Sequence, residues 1–103
     1  MLCKPLTLTV ALALAATYAT AAPAIVCAVC PSTIFFSGQT RKLTLSREES
    51  GDLQCNYDTP AISGFSPTCL YANNGGILLE TNAGTACPSV AATKTETSSF
   101  CTA

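Results

Sequence analysis

The chain has 103 residues, with six acidic and five basic side chains, no histidine and no tryptophan. Its only basic cluster, Arg41-Lys42 with Arg47, runs directly into Glu48-Glu49. Proteins that bind nucleic acid or disrupt anionic membranes instead present dense patches of lysine and arginine, so we expect neither kind of partner. The absence of histidine excludes the usual Ser-His-Asp and Cys-His nucleophiles.

Residues 1–21 have the pattern of a secretory signal peptide. Lys4 supplies the positive charge, residues 6–16 form an uncharged apolar segment, and Ala19 and Ala21 provide the small side chains that signal peptidase requires. The apolar segment is shorter than the ~20 residues that span a bilayer, which argues against a membrane anchor. We therefore expect cleavage after Ala21 and a secreted, extracellular protein.

Removal of 21 residues from 103 leaves 82, which is enough for one cysteine-rich domain, residues 22–103, with four basic and six acidic side chains and a net charge of −2. A domain of this size buries only ~60% of its unfolded surface, so its packing alone is marginal. An even number of cysteines in an exported chain predicts disulfides, each adding ~2–4 kcal/mol. The six are Cys27, Cys30, Cys55, Cys69, Cys87 and Cys101.

The first half of this domain shows apolar residues with a period of two, which is typical of strands. The runs at 34–36 and 43–45, separated by the turn residues 37–39, predict a β-hairpin. A second turn at 48–51 precedes a strand in which three side chains share one face: Leu53, Cys55 and Tyr57.

The second half begins with a predicted loop at 59–68, which contains two prolines and a glycine. The segments 69–72 and 77–80, joined by Asn-Asn-Gly-Gly, predict another β-hairpin. The polar segment 92–103 is either an edge strand or a tail attached through its cysteine. No amphipathic helix is indicated, and the sequence predicts a small all-β, antiparallel, disulfide-stapled domain of about five strands.

Residues 27–30, Cys-Ala-Val-Cys, allow three interpretations. A redox dithiol usually lies at a helix N-terminus within a βαβ unit, and no such pattern surrounds this segment. A zinc site needs four ligands, most recognisably a second Cys-x-x-Cys or a histidine pair, which the sequence lacks. We favour the third, in which Cys27 and Cys30 each bridge a different distant cysteine, with a pairing that the spacing leaves open. We expect neither a metal nor a cofactor.

The carboxylates suggest no catalytic pair. Asp52 and Asp58 flank one predicted strand and lie about 20 Å apart if it is extended, which is too far to act on one substrate atom. Gly75-Gly76 lies in a hairpin turn, not between a strand and a helix, so it predicts no phosphate-binding loop. We assign no catalytic residue and expect a protein that is not an enzyme.

Phe65 is the residue that the sequence suggests as a binding anchor. It lies in the loop between Cys55 and Cys69, and an aromatic side chain on a disulfide-framed loop can anchor a partner. The alternative is that the ring folds back over the small core.

The mature chain contains six cysteines and the segments LQCNYDTP and GFSPTCLYANNGGILLETN, the latter followed further on by CP, after a signal ending in ATAAPA. With these features it resembles the small secreted cysteine-rich proteins of fungi. The resemblance covers most of the mature chain and rests on size, export and cysteine content. It implies an effector-like protein that acts on a host or on competing microbes, and it assigns no functional residue.

Three functions are therefore considered. The favoured one is a non-enzymatic, monomeric extracellular protein that uses a rigid β surface to bind another macromolecule. The second is a structural or surface-coating protein that self-associates through apolar loops such as 59–68. The third is a secreted thiol-disulfide protein that uses Cys27 and Cys30.

Overall fold

A computed structural model describes residues 24–103 of the chain. The predicted signal peptide, residues 1–21, lies outside the described residues. All regular elements within 24–103 are β-strands, which confirms the predicted all-β class, although the eight strands exceed the five expected. They are β1 (Ile25–Val29), β2 (Thr33–Phe36), β3 (Gln39–Lys42), β4 (Leu45–Glu49), β5 (Asp52–Asn56), β6 (Thr68–Ala72), β7 (Leu78–Thr81) and β8 (Ala92–Glu96). The same part of the chain holds no helix that could cross a membrane.

The strands form three antiparallel sheets. The largest contains four strands in the order β4-β5-β6-β7, and the pairs β2-β3 and β1-β8 form two smaller sheets. Neighbouring strands of the large sheet are also neighbours in sequence, so short turns connect most of it. This four-stranded sheet carries the surface described below.

The first predicted hairpin is present with a shorter second arm than expected. Ser37 and Gly38 adopt positive φ angles of 54° and 78° and join β2 to β3. The second arm ends at Lys42, although Leu43 still donates its N–H to the carbonyl of Ser32 at 3.0 Å, the next pair of the same register. Thr44 then donates its N–H to the carbonyl of Asn56 at 2.8 Å, which brings the chain to β5. From Leu45 onward the chain pairs with β5 instead, so one predicted strand is two strands in different sheets.

The second predicted hairpin, β6 to β7, is confirmed and contains a β-bulge. Leu70 pairs with Glu80, whereas the next residue, Tyr71, pairs with Leu78, so Leu79 is the extra residue. The bulge lets Leu78 pack against the core while Leu79 stays half exposed.

The inner face of the large sheet forms the core. Leu53, Cys55 and Tyr57 are 1%, 0% and 0% exposed, which confirms that they share a buried face. The hydroxyl of Tyr57 donates to the carbonyl of Pro31 at 2.7 Å, and that of Tyr71 donates to Pro88 at 3.0 Å. Burial raises the pKa of both phenols, and for Tyr57 the nearby Tyr71 adds to the effect.

Three disulfides hold the sheets together: Cys27–Cys101, Cys30–Cys55 and Cys69–Cys87. The predicted number of bridges is therefore present. Cys55 and Cys69 are directly opposite each other on β5 and β6. Two disulfides therefore start from neighbouring positions on the inner face of the large sheet. The first bridge ties the chain's last residues to β1.

Candidate binding surface

The outer face of the four-stranded sheet, opposite the core, is mainly polar. The strand register aligns four of its side chains in one row across β4, β5, β6 and β7: Arg47, Gln54, Leu70 and Glu80. A parallel row contains Glu49 and Asp52. Because side chains alternate between the two faces of a strand, the buried residues Leu53 and Tyr71 lie beneath these rows.

Hydrogen bonds between side chains fix the orientation of this polar face. Arg47 Nη2 donates to Gln54 Oε1 at 3.2 Å, and Gln54 Nε2 donates to Asn56 Oδ1 at 2.8 Å. Asn56 Nδ2 then donates to the hydroxyls of Ser66 and Thr68, both at 2.9 Å. We call this series of hydrogen bonds the polar ladder. Asn56 is only 8% exposed, so these bonds also satisfy an amide that would be costly to bury unpaired.

A side-chain amide extends the sheet at the end of the polar ladder. Asn82 Oδ1 accepts the backbone N–H of Thr68 at 2.8 Å, and its Nδ2 donates to the carbonyl of Ser66 at 3.0 Å. Asn82 therefore satisfies backbone groups on the chain leading into β6, just past the end of β7.

Two adjoining cavities of about 300 and 260 Å³ lie on the outer face and share Gln54 and Leu70. We call them together the sheet groove. Ligand sites run from about 300 to 1,000 Å³, so the first cavity is at the lower limit of this range and the second is slightly below it. The first cavity is further lined by Thr68, Glu80, Thr81 and Asn82, and the second by Arg47, Glu49, Ser50 and Asp52.

The charges of the sheet groove do not cancel. Arg47 Nη2 lies 3.2 Å from Glu49 Oε2, and both side chains are more than half exposed. Asp52 and Glu80 form no ion pair within residues 24–103. The groove therefore has one cation against three carboxylates, and two of these carboxylates form no ion pair.

The structure places the predicted anchor Phe65 against the protein rather than in the sheet groove. Its ring stacks on Phe36 with centroids 5.7 Å apart, and its side chain is partly buried. Beside it, the buried Arg41 donates from Nε to the carbonyl of Phe36 at 3.0 Å and from Nη1 to that of Pro60. Loop 59–68 is thus attached to the β2–β3 hairpin, and a binding role for Phe65 stays a prediction.

Cys27 and Cys30 are not bonded to each other, since each is bridged to a distant cysteine. This is the favoured of the three interpretations. One group of potential metal ligands occurs within residues 24–103, where Cys27, Cys101 and Glu96 place ligand atoms within 4.8 Å of one another. The two sulfur atoms are bonded together and are therefore not thiolates, the form that coordinates metals. The group is a disulfide with a carboxylate beside it.

The surroundings of Asp52 are not evident from the sequence, which suggests only its comparison with Asp58. Asp58, with which it was compared, accepts hydrogen bonds from Thr44 and Ser66 at 3.2 and 3.0 Å and does not line the sheet groove. Asp52 instead shares the groove with Leu70 and Glu80. Alternation within each strand places these residues on outward faces, but only the register between strands brings them together.

Comparison with known protein families, curated proteins and solved structures gives no significant match. The structure is that of a small disulfide-rich β domain with a polar groove on one sheet face.

Proposed function

We propose that this protein is a secreted, non-enzymatic binding module that attaches to another macromolecule outside the cell through the sheet groove. Three disulfides within a domain of this size support an oxidising, extracellular location. An effector-like role towards a host or a competing microbe is the biological setting that the resemblance to small secreted cysteine-rich fungal proteins implies.

The observation that carries this proposal is the preorganisation of the sheet groove. Its side chains lie on adjacent strands, and the polar ladder fixes the orientation of several of them. On the inner face beneath, Cys55 and Cys69 lie opposite each other, and each forms a disulfide with a cysteine outside the sheet. A surface that is ordered before it meets its partner loses less conformational entropy on binding.

Self-association through loop 59–68 has less support. Pro67 is fully buried, and Phe65 uses a ring face to stack on Phe36. The loop therefore exposes less apolar surface than its composition suggests. We propose that the protein acts as a monomer.

A pair of matched substitutions tests the proposed surface. Leu70→Arg places a large cation in the middle of the sheet groove, whereas Phe100→Arg makes a similar change at a side chain that is 66% exposed and outside the groove. The secreted wild type and both variants are incubated with the surfaces of host cells, of competing microbes and of the producing cells, and retained macromolecules are identified. We expect Leu70→Arg to lose a component that wild type and Phe100→Arg both retain. Equal retention by both variants, when both are folded, would contradict the proposal.

A further inference from the structure

We infer that the sheet groove binds an extended basic peptide segment in which two cationic side chains flank an apolar one. This inference rests on the proposed binding function of the groove and adds the chemistry of the partner. It follows from the charge, the spacing and the central side chains of the groove.

The charge of the sheet groove favours a cationic ligand. Three carboxylates line it, those of Glu49, Asp52 and Glu80, against one cation, Arg47. Because Arg47 already pairs with Glu49, the charges of Asp52 and Glu80 are left for a ligand to neutralise. Complementary charge guides association and selects among partners.

The two carboxylates lie on either side of the groove's apolar centre. Asp52 lines only one cavity, Glu80 lines only the other, and Leu70 lines both. Asp52 is on β5 and Glu80 on β7, with β6 between them, and they are offset by two residues along the strands. With ~4.8 Å between strands and ~3.4 Å per residue, their Cα atoms are about 12 Å apart.

An extended peptide matches this spacing. Its residues i and i+4 are about 13 Å apart and point to the same side, and residue i+2 lies between them on that side. Lysine or arginine at i and i+4 therefore reaches Asp52 and Glu80, while an apolar side chain at i+2 contacts Leu70. The flexible stems of lysine and arginine absorb the small difference in length.

Gln54 adds hydrogen bonds suited to a peptide backbone. Its Oε1 accepts from Arg47 and its Nε2 donates to Asn56, so the amide has one fixed orientation. An amide oxygen has a second lone pair and an amide nitrogen a second hydrogen. These remaining groups can pair with a C=O and an N–H of the ligand.

A synthetic peptide tests the inference on the secreted, disulfide-intact protein. The probe is acetyl-Lys-Ser-Leu-Ser-Lys-amide, and its control, acetyl-Lys-Lys-Ser-Leu-Ser-amide, has the same composition with adjacent cations. A third peptide replaces both lysines of the probe with glutamate. Binding is followed at low ionic strength by two-dimensional NMR of the ¹⁵N-labelled protein, which locates the site as well as the affinity.

We expect the probe to shift resonances of β5, β6 and β7 around the sheet groove and to bind more tightly than either control peptide. Asp52→Asn and Glu80→Gln should each weaken binding about two- to fivefold, the range for an exposed ion pair. Glu96→Gln removes a carboxylate outside the groove and should leave the affinity unchanged. Added salt should weaken binding of the probe by screening.

Equal affinity for all three peptides, shifts outside the sheet groove, or no binding of the probe would overturn the inference. The proposed function is judged separately by Leu70→Arg and Phe100→Arg with the natural partner. If Leu70→Arg loses that partner while the probe does not bind, the groove is the binding surface but its ligand is of another class. If the probe fails and Leu70→Arg also keeps the partner, the proposed function fails as well.

Discussion

Tyr57 and Tyr71 are the tyrosines of residues 24–103, and both are fully buried in the core. Each hydroxyl donates to a proline carbonyl, which only the neutral phenol can do. Burial and these bonds couple the fold to the protonation of two residues, since the folded state holds the phenolic protons more tightly than the unfolded chain does.

We therefore predict that stability falls with alkaline pH. The folded pKa values lie above the unfolded value of 10.0, so the contribution is complete below pH 10 and is lost as pH rises towards the folded pKa values. Each tyrosine should lower the free energy of unfolding by at most about 1.4 kcal/mol per pH unit in that window. Urea unfolding between pH 9 and 11 measures the slope, and Tyr57→Phe should reduce it more than Tyr71→Phe does, because burial raises the pKa of Tyr57 further. Tyrosinate absorbance that rises near pH 10 while the protein stays folded would contradict this account.

Glu96 places a negative charge beside the disulfide Cys27–Cys101. Its Oε2 lies 3.4 Å from Cys27 Sγ, and its Oε1 lies 3.2 Å from Lys94 Nζ. Cys27 is fully buried, whereas Cys101 is partly exposed, so an incoming thiolate reaches the sulfur of Cys101. The bond between the two sulfurs then breaks and leaves a thiolate on Cys27 next to the carboxylate.

This arrangement predicts that Glu96→Gln makes the disulfide easier to reduce. Removing a charge near the leaving thiolate is worth at least about 1 kcal/mol, the value for a fully solvated pair, which corresponds to a reduction rate at least about fivefold higher with glutathione. The rate is measured by alkylating the released cysteines and mapping them by mass spectrometry. Glu80→Gln, far from the bridge in sequence and on another sheet, serves as the control. A rate unchanged by Glu96→Gln at low salt would show that the carboxylate has no such effect.

At the level of single elements, the turn between β6 and β7 contains two glycines with different surroundings. Gly75 and Gly76 have φ angles of +106° and +75°, values that strain any residue with a Cβ atom. A Cβ on Gly76 would lie 2.7 Å from the carbonyl oxygen of Ala91, whereas a Cβ on Gly75 would have no heavy atom within 4 Å. Ala91 donates its N–H to the carbonyl of Gly76 at 2.8 Å, so this contact is part of the backbone pairing.

We predict that Gly76→Ala destabilises the protein more than Gly75→Ala. Both substitutions introduce a strain of about 1–2 kcal/mol, and the clash at position 76 should add about 1–3 kcal/mol. Denaturant unfolding of the two variants measures the difference directly. Equal loss of stability would show that the segment around Ala91 moves away without cost.

The same hairpin shows why some elements are predictable from sequence. Asn-Asn-Gly-Gly supplies residues that tolerate positive φ between two apolar runs, and the alternation in 53–57 places one face in the core. These are local signals.

β1 has no comparable signal, because its partner β8 lies almost 70 residues away and is polar on both faces. The sheet groove is similarly non-local, since the register and the bulge at Leu79 decide which acid stands opposite Leu70.

The whole molecule depends on three disulfides that differ in position. Cys30–Cys55 and Cys69–Cys87 lie in the core, with all four residues at most 8% exposed. Cys27–Cys101 instead joins the two ends of the described chain, across a separation of 74 residues. The core bridges support the four-stranded sheet, and the terminal bridge supports the β1–β8 pair.

Removal of these bridges should therefore have different consequences. Replacing Cys30 and Cys55 with alanine should cost about 2–5 kcal/mol, which is a large part of the stability of a small domain. Replacing Cys27 and Cys101 should release β8 and the tail while the four-stranded sheet persists. Amide hydrogen exchange measured by NMR distinguishes the two outcomes strand by strand. Loss of protection throughout the four-stranded sheet on removing the terminal bridge would contradict this division.

The most direct test of the binding surface is site-specific photo-crosslinking in the secreted, disulfide-intact protein. A photoreactive side chain replaces Leu70 in the sheet groove, or Phe100 on the exposed tail, and each protein is irradiated on the surfaces of host cells, of competing microbes and of the producing cells. We predict one dominant adduct from position 70 that unlabelled wild type suppresses by competition and that position 100 does not give. The same adducts from both positions, or none from position 70, would contradict the claim that the groove is the binding surface.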